Sequence, residues 1–435
     1  MIAHSGVSSD VDGDACRQAV RRATLRLMPL FCLMYLIAYI DRQNVSYAKL
    51  EMVDALGLSE AAYGLGASLF FIGYFLFEAP ANLILAKVGA RGWFARIMLT
   101  WGAVTVALGF TRSPAMFYVL RFLLGAAEAG FFPGVLYVLT LWYPQEDRAR
   151  MIGLFMVASA IANAVGSAIG GALLDLDQVW GLAGWQWVFV ATGLPAVLLS
   201  PFVLFYLPNH PGQARWMPDR ERAALLARLE REASGIPETH GAAWKAIFSP
   251  RVLKLAGLYF GLPLGAYGLS YWLPTIVKGF GVSHTINGVI NIVPWLLVAL
   301  ALWIYPRTHM GRQARAIGVA GPVLVAAAAL ALSVFAPSPW MQFALICIAA
   351  PAIFMGQPLF WSWPPRFLTG AHAAAGLAAI NSVGNLGGFA AQNLVPIVRD
   401  VSHNDLAPML ALSAALAAAA LLILLDRKRL DAASA

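Results

Sequence analysis

The stretch from Leu25 to Asn44 reads LRLMPLFCLMYLIAYIDRQN, an apolar run that ends in an acid and a base side by side. Its length suits a helix that crosses the hydrocarbon core of a bilayer, which takes about 20 mostly apolar residues. The whole chain shares this character, since 60% of its 435 residues are hydrophobic and 12% are charged. Soluble domains carry about 25% charged residues. The sequence therefore predicts an integral membrane protein.

Twelve runs of this kind occur along the chain, and each is predicted to be a helix because lipid offers the backbone no hydrogen-bond partner. The predicted spans are 25–47, 61–86, 93–111, 115–140, 150–174, 185–207, 252–277, 285–305, 314–335, 340–364, 373–398 and 406–425. A polar central loop, 208–250, separates six spans from six, and Pro218 and Asp219 predict a short amphipathic helix in it. The sequence thus predicts an all-α membrane protein with two six-helix bundles, 24–207 and 251–426.

The positive charges are distributed unevenly between the two sides of these spans. Most of the 30 Lys and Arg residues lie on the side of the termini and the central loop. The opposite loops contain Lys49, Arg112, Lys278 and Arg399. Because cytoplasmic loops carry the excess of Lys and Arg, we expect both tails, 1–23 and 427–435, in the cytoplasm, the first of them disordered. The net charge of +8 then reflects membrane topology, and nucleic-acid binding is not expected.

Ionisable side chains occur inside the predicted spans of the first half: Asp41, Arg42, Glu78, Arg121 and Glu128. A charge at the centre of a membrane helix costs about 2.5–3.5 kcal/mol on insertion scales, so each residue indicates a functional site. Arg121 and Glu128 are two helical turns apart and share a face. Asp41 and Arg42 point about 100° apart, so each looks to a different neighbour: Asp41 could meet Arg121 across a cavity and leave Arg42 free, or the reverse. A structural ion pair, an Asp41 end cap, and a Glu78 bond to a basic loop or to freed helix backbone are the alternatives.

The second half offers neutral polar and aromatic side chains in its spans. Tyr267 lies in the seventh span, Gln357 and Trp361 lie in the tenth, and Asn381 and Asn385 share one face of the eleventh. Such residues also serve as lipid-facing or helix–helix contacts, which is the alternative for each of them. Because transporters built from duplicated halves bind substrate at the interface between the halves, the pattern predicts a cavity with charges on one side and neutral groups on the other.

Several stretches resemble the major facilitator superfamily, and in particular its anion:cation symporter family, over about residues 20–425. They are AYIDRQNVSYAKLEM, YGLGASLFFIGYFLFEAPANLIL, KVGARGWFARIM, LRFLLGAAEAGFFPGVLYVLTLWYP and INSVGNLGGFAAQNL. The chain is similar to bacterial permeases for tartrate, sugar acids and hydroxyphenylacetate. This resemblance implies the major facilitator fold, a multi-pass location in the bacterial inner membrane, and import of an organic anion together with a proton.

The resemblance also implies roles for individual side chains. The matching positions are Arg42 and Arg121 for contact with the substrate carboxylate, Asp41 and Glu128 for proton coupling, and Tyr39 and Tyr74 for the cavity wall. Tyr267, Gln357, Trp361, Asn381 and Asn385 are the candidates for substrate contacts from the second half.

We therefore expect a secondary active transporter that imports a hydroxy-, sugar- or aromatic carboxylate by proton symport, as a monomer without cofactor or metal. A proton-coupled exporter of drugs or metabolites has the same architecture and is the main alternative, although paired arginines argue against cationic cargo. A non-transporting receptor would need a further soluble domain, and the longest loop is about 43 residues. The sequence contains no motif for nucleophilic, metal or phosphoryl chemistry, so an enzyme is not expected.

Overall fold

The structure is a computed structural model that describes residues 5–234, 248–309, 316–361, 363–364, 370–404 and 406–432, and the regular structure in these ranges is helical. The first half contains α1 Ser5–Ala55, α2 Glu60–Val88, α3 Ala90–Leu108, α4 Pro114–Glu128, α5 Phe131–Trp142, α6 Gln145–Leu174 and α7 Gly184–Tyr206. The central loop contains α8 Asp219–Ser234. The second half contains α9 Pro250–Lys278, α10 His284–Ile290, α11 Ile292–His309, α12 Ala316–Ser333, α13 Pro339–Met355, α14 Gln357–Phe360, α15 Gly370–Ser402 and α16 Ala407–Leu425, and α17 Arg427–Ala432 follows.

Helices occupy the predicted spans, with three differences in continuity. Ten helical stretches in the described ranges are long and apolar enough to cross a membrane. The third and eleventh predicted spans form α3 and α15, which are more polar because α3 carries Arg91 and Arg96 and α15 carries several amides. The fourth, eighth and tenth spans each consist of two helices rather than one. The middle of the central loop, 235–247, and the start of the ninth predicted span, 314–315, lie outside the described residues.

The N-terminal segment departs from the sequence-based expectation, since it is helical from Ser5 rather than disordered. Ala15, Ala19 and Ala23 form a buried stripe along this extension at four-residue spacing. The extension packs against α8 of the central loop, where Arg22 forms a 2.7 Å ion pair with Glu221. The segment is ordered because its small-residue face has a helix to pack against, which a reading of the tail alone does not reveal.

Four pairs of helices form the main contacts between the two halves. Helix α2 packs against α15, α6 packs against α10 and α11, and α1 packs against α9. At the contact between α6 and α10, a Cβ added to Gly171 would lie 2.9 Å from the Cα of Gly288, so only glycine allows this approach. The interface between the halves is therefore closely packed, and Arg42 and Glu78 of the first half face it.

Polar contacts close one end of this interface, on the side opposite the termini. Glu60 accepts two ion pairs there, from Lys49 at 2.8 Å and from Arg399 of the second half at 3.3 Å. Lys278 of the second half donates to the carbonyl of Leu50 over 2.7 Å. Lys49, which the sequence places in an outer loop, is only 4% exposed. The contacts of Arg399 and Lys278 join the two halves and cover this end of the interface.

Candidate substrate site between the two halves

Arg42 lies on α1 and points towards the second half. Its Nε donates to Glu128 Oε1 over 2.6 Å, and its Nη1 lies 3.5 Å from the hydroxyl of Tyr267. The guanidinium carbon is 5.1 Å from the ring centre of Tyr74 and 5.5 Å from that of Tyr39, which is cation–π geometry. The structure thus brings together five of the predicted site residues in a buried cluster. In such surroundings an ion pair offsets the cost of burying each of its charges.

The break in the fourth predicted span positions Glu128. Helix α4 ends at this residue, and Gly130 follows in the left-handed region with φ of 83°, which starts α5 in a new direction. One turn earlier, Gly125 lies against the backbone of α2, and a Cβ there would be 1.9 Å from the carbonyl oxygen of Phe70. This close approach holds Arg121 and Glu128 on the face of α4 that meets α2 and the interface.

Arg121 is fully buried, and its charge has no acidic partner among the described residues. Its Nη2 donates to the carbonyl of Ala67 over 3.1 Å, and its guanidinium carbon lies 5.1 Å from the ring centre of Phe70. Nε and Nη1 make no hydrogen bond of good geometry to another described residue, and the hydroxyl of Tyr271 is the polar group that faces the guanidinium. Buried polar groups are costly unless they are paired. The N–H groups of Arg121 are therefore available as donors to an anion.

Asp41 points into the first half and away from this cluster. Its carboxylate accepts from the hydroxyl of Thr105 on α3 at 3.0 Å and from the amide of Asn44 at 3.2 Å. The same amide donates to Thr192 on α7 over 3.0 Å. Asp41 is 1% exposed, so its carboxylate sits in a buried pocket of hydroxyl and amide groups.

The expectation that Asp41 meets Arg121 is wrong for this structure. Within the described residues, no hydrogen bond or ion pair joins either side chain to Arg121. The physical reason is the turn of about 100° between adjacent helical positions, which sends Arg42 to Glu128 and Asp41 to Thr105. An end cap is also excluded, because α1 continues from Asp41 to Ala55.

Glu78 links the two halves. It is fully buried on α2 and accepts from the amide of Asn381 over 2.9 Å and from the hydroxyl of Ser382, both on α15. Asn385, one turn further along α15, has its Oδ1 3.5 Å from the hydroxyl of Tyr267. Asn385 therefore lies beside the cluster around Arg42, whereas Asn381 is engaged by Glu78.

Gln357 and Trp361 lie at α14, apart from the arginines. The indole of Trp361 donates to the hydroxyl of Tyr259 over 3.2 Å, and the two rings are 4.9 Å apart. Gln357 begins α14, where its carbonyl accepts from the Trp361 N–H, and its side chain makes no hydrogen bond or ion pair to another described residue. The structure thus places Trp361 in an aromatic contact of the second half and leaves Gln357 outside the cluster.

Sequence reasoning missed several side chains that surround the arginines. Phe70 lies under both guanidinium groups, and the ring of Phe71 is 4.7 Å from that of Tyr267 in the other half. The signal was available, because Phe70 and Tyr74 are four positions apart and so share a helix face. Thr105, in contrast, has no distinguishing pattern in the sequence and becomes notable only through its bond to Asp41.

Known proteins resemble this chain over nearly its full length. Residues 31–392 match the family model described as Major Facilitator Superfamily. A quinolone resistance transporter of Acinetobacter baumannii is 43% identical over 399 residues, which are 91% of this chain and 92% of that protein. A protein of Agrobacterium vitis named as a tartrate transporter is 42% identical over 392 residues, 90% of this chain and 87% of that protein.

The fold is also that of solved transporters. The crystal structure of a D-xylose–proton symporter has a TM-score of 0.72 to this structure at 15% sequence identity, covering 92% of this chain and 97% of the symporter. Together with the family match and the two relatives, this likeness identifies a multi-pass membrane transporter of small solutes and not an enzyme. The chain belongs to the Major Facilitator Superfamily.

Proposed function

We propose that this transporter imports a small organic anion together with a proton, by alternating access across a bacterial inner membrane, with both termini in the cytoplasm. The observation that carries the proposal is Arg121, a fully buried guanidinium with two unpaired nitrogens and no acidic partner among the described residues. A guanidinium stays protonated when it is dehydrated, and its planar N–H groups match a carboxylate. An anion bound there removes the cost of the unpaired charge.

The ion pair between Arg42 and Glu128 supplies a means of coupling. While Glu128 is ionised, it holds Arg42 through the 2.6 Å contact. A proton on Glu128 removes its charge and frees Arg42 to turn towards a substrate carboxylate beside Arg121. Proton and anion thus exchange one buried ion pair for another, and the net charge of the interior is unchanged.

The membrane potential makes this coupling useful. An anion that enters a cell with a negative interior is opposed by about 2.3 kcal/mol per charge for each 100 mV. One proton that travels with a monovalent anion cancels this electrical cost, so the pH gradient alone drives uptake. Coupling by neutralisation therefore suits a site in which Glu128 is paired with Arg42.

Alternating access requires the contacts across the halves to break in turn. The closed end, with Glu60, Lys49 and Arg399, has to open for entry from outside. The bonds from Asn381 and Ser382 to Glu78 lie nearer the other end of α2 and join the halves there. Rocking of the halves exchanges these two sets of contacts around the arginines.

The test is proton entry driven by substrate in proteoliposomes. The purified protein is reconstituted with a trapped pH dye, and tartrate, gluconate or benzoate is added outside, with protein-free liposomes to subtract passive entry of the undissociated acid. At least one acid is expected to acidify the interior and to accumulate when the outside is acidic. Accumulation that is independent of the pH gradient, or the absence of transport for all three acids, would overturn the proposal.

A second candidate function, drug export, is favoured by the relative named as a quinolone resistance transporter at 43% identity. An exporter of this fold would move the drug outward in exchange for protons. Cells that produce the protein would then accumulate less of a fluorescent quinolone than cells that produce the Glu128→Gln variant. Equal accumulation in the two strains would exclude this function.

A further inference from the structure

We infer that the site selects a small aromatic monocarboxylate over hydroxy acids and sugar acids. This inference rests on the proposed function, because it assumes that Arg121 binds a carboxylate. It adds the chemical class of the rest of the substrate, for which the surroundings of the arginines give the evidence.

The walls next to the arginines are aromatic. The ring centre of Phe70 lies 5.1 Å from the guanidinium carbon of Arg121 and 5.6 Å from that of Arg42. Phe71 continues this wall across the interface, with its ring 4.7 Å from that of Tyr267 and 6.1 Å from that of Tyr271. Aromatic faces and edges pack favourably against another ring in stacked or edge-to-face geometry. A planar ring attached to the carboxylate would meet such partners from both halves.

Few polar atoms are available for further groups of a substrate. Among the fully buried side-chain atoms of the described residues, those beside the arginines without a hydrogen-bond partner are Nε and Nη1 of Arg121, the hydroxyl of Tyr271 and Oε2 of Glu128. The N–H groups of Arg121 and the hydroxyl of Tyr271 are donors that suit the two oxygens of one carboxylate, whereas Oε2 of Glu128 is an acceptor. A sugar acid would bring several hydroxyl groups against aromatic walls, where a buried hydroxyl without a partner costs free energy.

Two of the amides on α15 already donate to protein groups. Asn381 donates to Glu78 over 2.9 Å, and Gln392 donates to the carbonyl of Tyr267 over 3.3 Å. The charges also favour a monocarboxylate. Glu128 already neutralises Arg42, so Arg121 is the arginine of the site without an ion pair to a described residue. One carboxylate balances this charge, whereas a dicarboxylate such as tartrate would add an unpaired negative charge.

The test is a binding series on the purified full chain by titration calorimetry, with benzoate, cyclohexanecarboxylate, gluconate and tartrate as probes. Benzoate and cyclohexanecarboxylate have the same carboxylate and similar size, so their difference isolates the aromatic ring. We expect benzoate to bind about five-fold tighter than cyclohexanecarboxylate, and at least about ten-fold tighter than gluconate and tartrate. Equal affinity for the two ring acids, or tighter binding of gluconate or tartrate, would overturn the inference.

Three variants separate this inference from the proposed function. Arg121→Lys should weaken every carboxylate that binds, which tests the proposed function alone. Phe70→Leu should reduce the preference for benzoate over cyclohexanecarboxylate, while Phe77→Leu, on the same helix but 45% exposed, should leave it unchanged. If gluconate or tartrate binds best and depends on Arg121, the aromatic inference fails and the proposed function stands. If none of the four acids binds, both fail.

Discussion

Replacing Arg121 with lysine keeps a positive charge in the site but removes the planar set of donors. In the structure, Nη2 is used by the carbonyl of Ala67 over 3.1 Å, and Nε and Nη1 have no partner among the described residues. A lysine ammonium can donate in one of these directions, but it cannot supply the planar pair of N–H groups of a guanidinium. We therefore expect the loss of one hydrogen bond to a charged group, about 1.5–3 kcal/mol. This corresponds to a dissociation constant for benzoate that is roughly 10- to 150-fold higher.

The assay is titration calorimetry of benzoate with Arg121→Lys and wild type in the same detergent, after thermal unfolding has confirmed that both are folded. The control is Arg112→Lys, the same exchange at an exposed position that follows α3. This control should bind benzoate as wild type does. The reasoning is refuted if Arg121→Lys binds within about two-fold of wild type, or if Arg112→Lys loses as much affinity as Arg121→Lys.

Three further predictions concern coupling and stability. Glu128→Gln should abolish accumulation driven by a pH gradient but retain substrate exchange in proteoliposomes, because glutamine cannot carry the coupled proton; normal accumulation would contradict this. Gly125→Ala places a Cβ 1.9 Å from a backbone oxygen of α2 and should cost about 1–3 kcal/mol, whereas Gly153→Ala enters open space and should leave the unfolding temperature unchanged; equal unfolding temperatures would contradict the close approach. Thr105→Val removes the 3.0 Å hydroxyl bond to Asp41 and should cost about 1–3 kcal/mol in thermal denaturation at neutral pH, and an unchanged stability would show that the carboxylate does not depend on it.

The helices of this chain can be predicted from its sequence because the bilayer leaves the backbone few choices. The breaks within spans are harder to predict, as the fourth span illustrates. Its stretch GAAEAGFFPG carries three glycines, and all of them suit a close helix contact equally well. Only the structure reveals that Gly130 is left-handed while Gly125 is helical and packed against α2. The difference depends on the neighbouring helix, which hydrophobic periodicity does not describe.

The sequence predicts which site residues share a face of one helix, but it does not predict which side chains pair between helices. Arg121 and Glu128 share a face because the helical repeat fixes their relation. The partner of Asp41 is Thr105, 64 residues further along the chain, and the partner of Glu78 is Asn381, 303 residues away. Threonine and asparagine are common, and no spacing rule distinguishes these two from the others. Such pairs follow from how the helices are rotated against one another, which tertiary packing decides.

The buried charges of the first half also distinguish two ways in which a proton can act. Glu128 touches Arg42 at 2.6 Å, so its protonation changes which groups are available to the substrate. Asp41 is held by the neutral groups of Thr105 and Asn44, so its protonation changes the net charge but leaves the contacts of Arg42 in place. If anion binding is to depend on the proton, protonation has to change the groups that are available to the substrate, as it does at Glu128. For the proposed function, the geometry therefore favours Glu128 over Asp41 as the group whose protonation controls substrate binding.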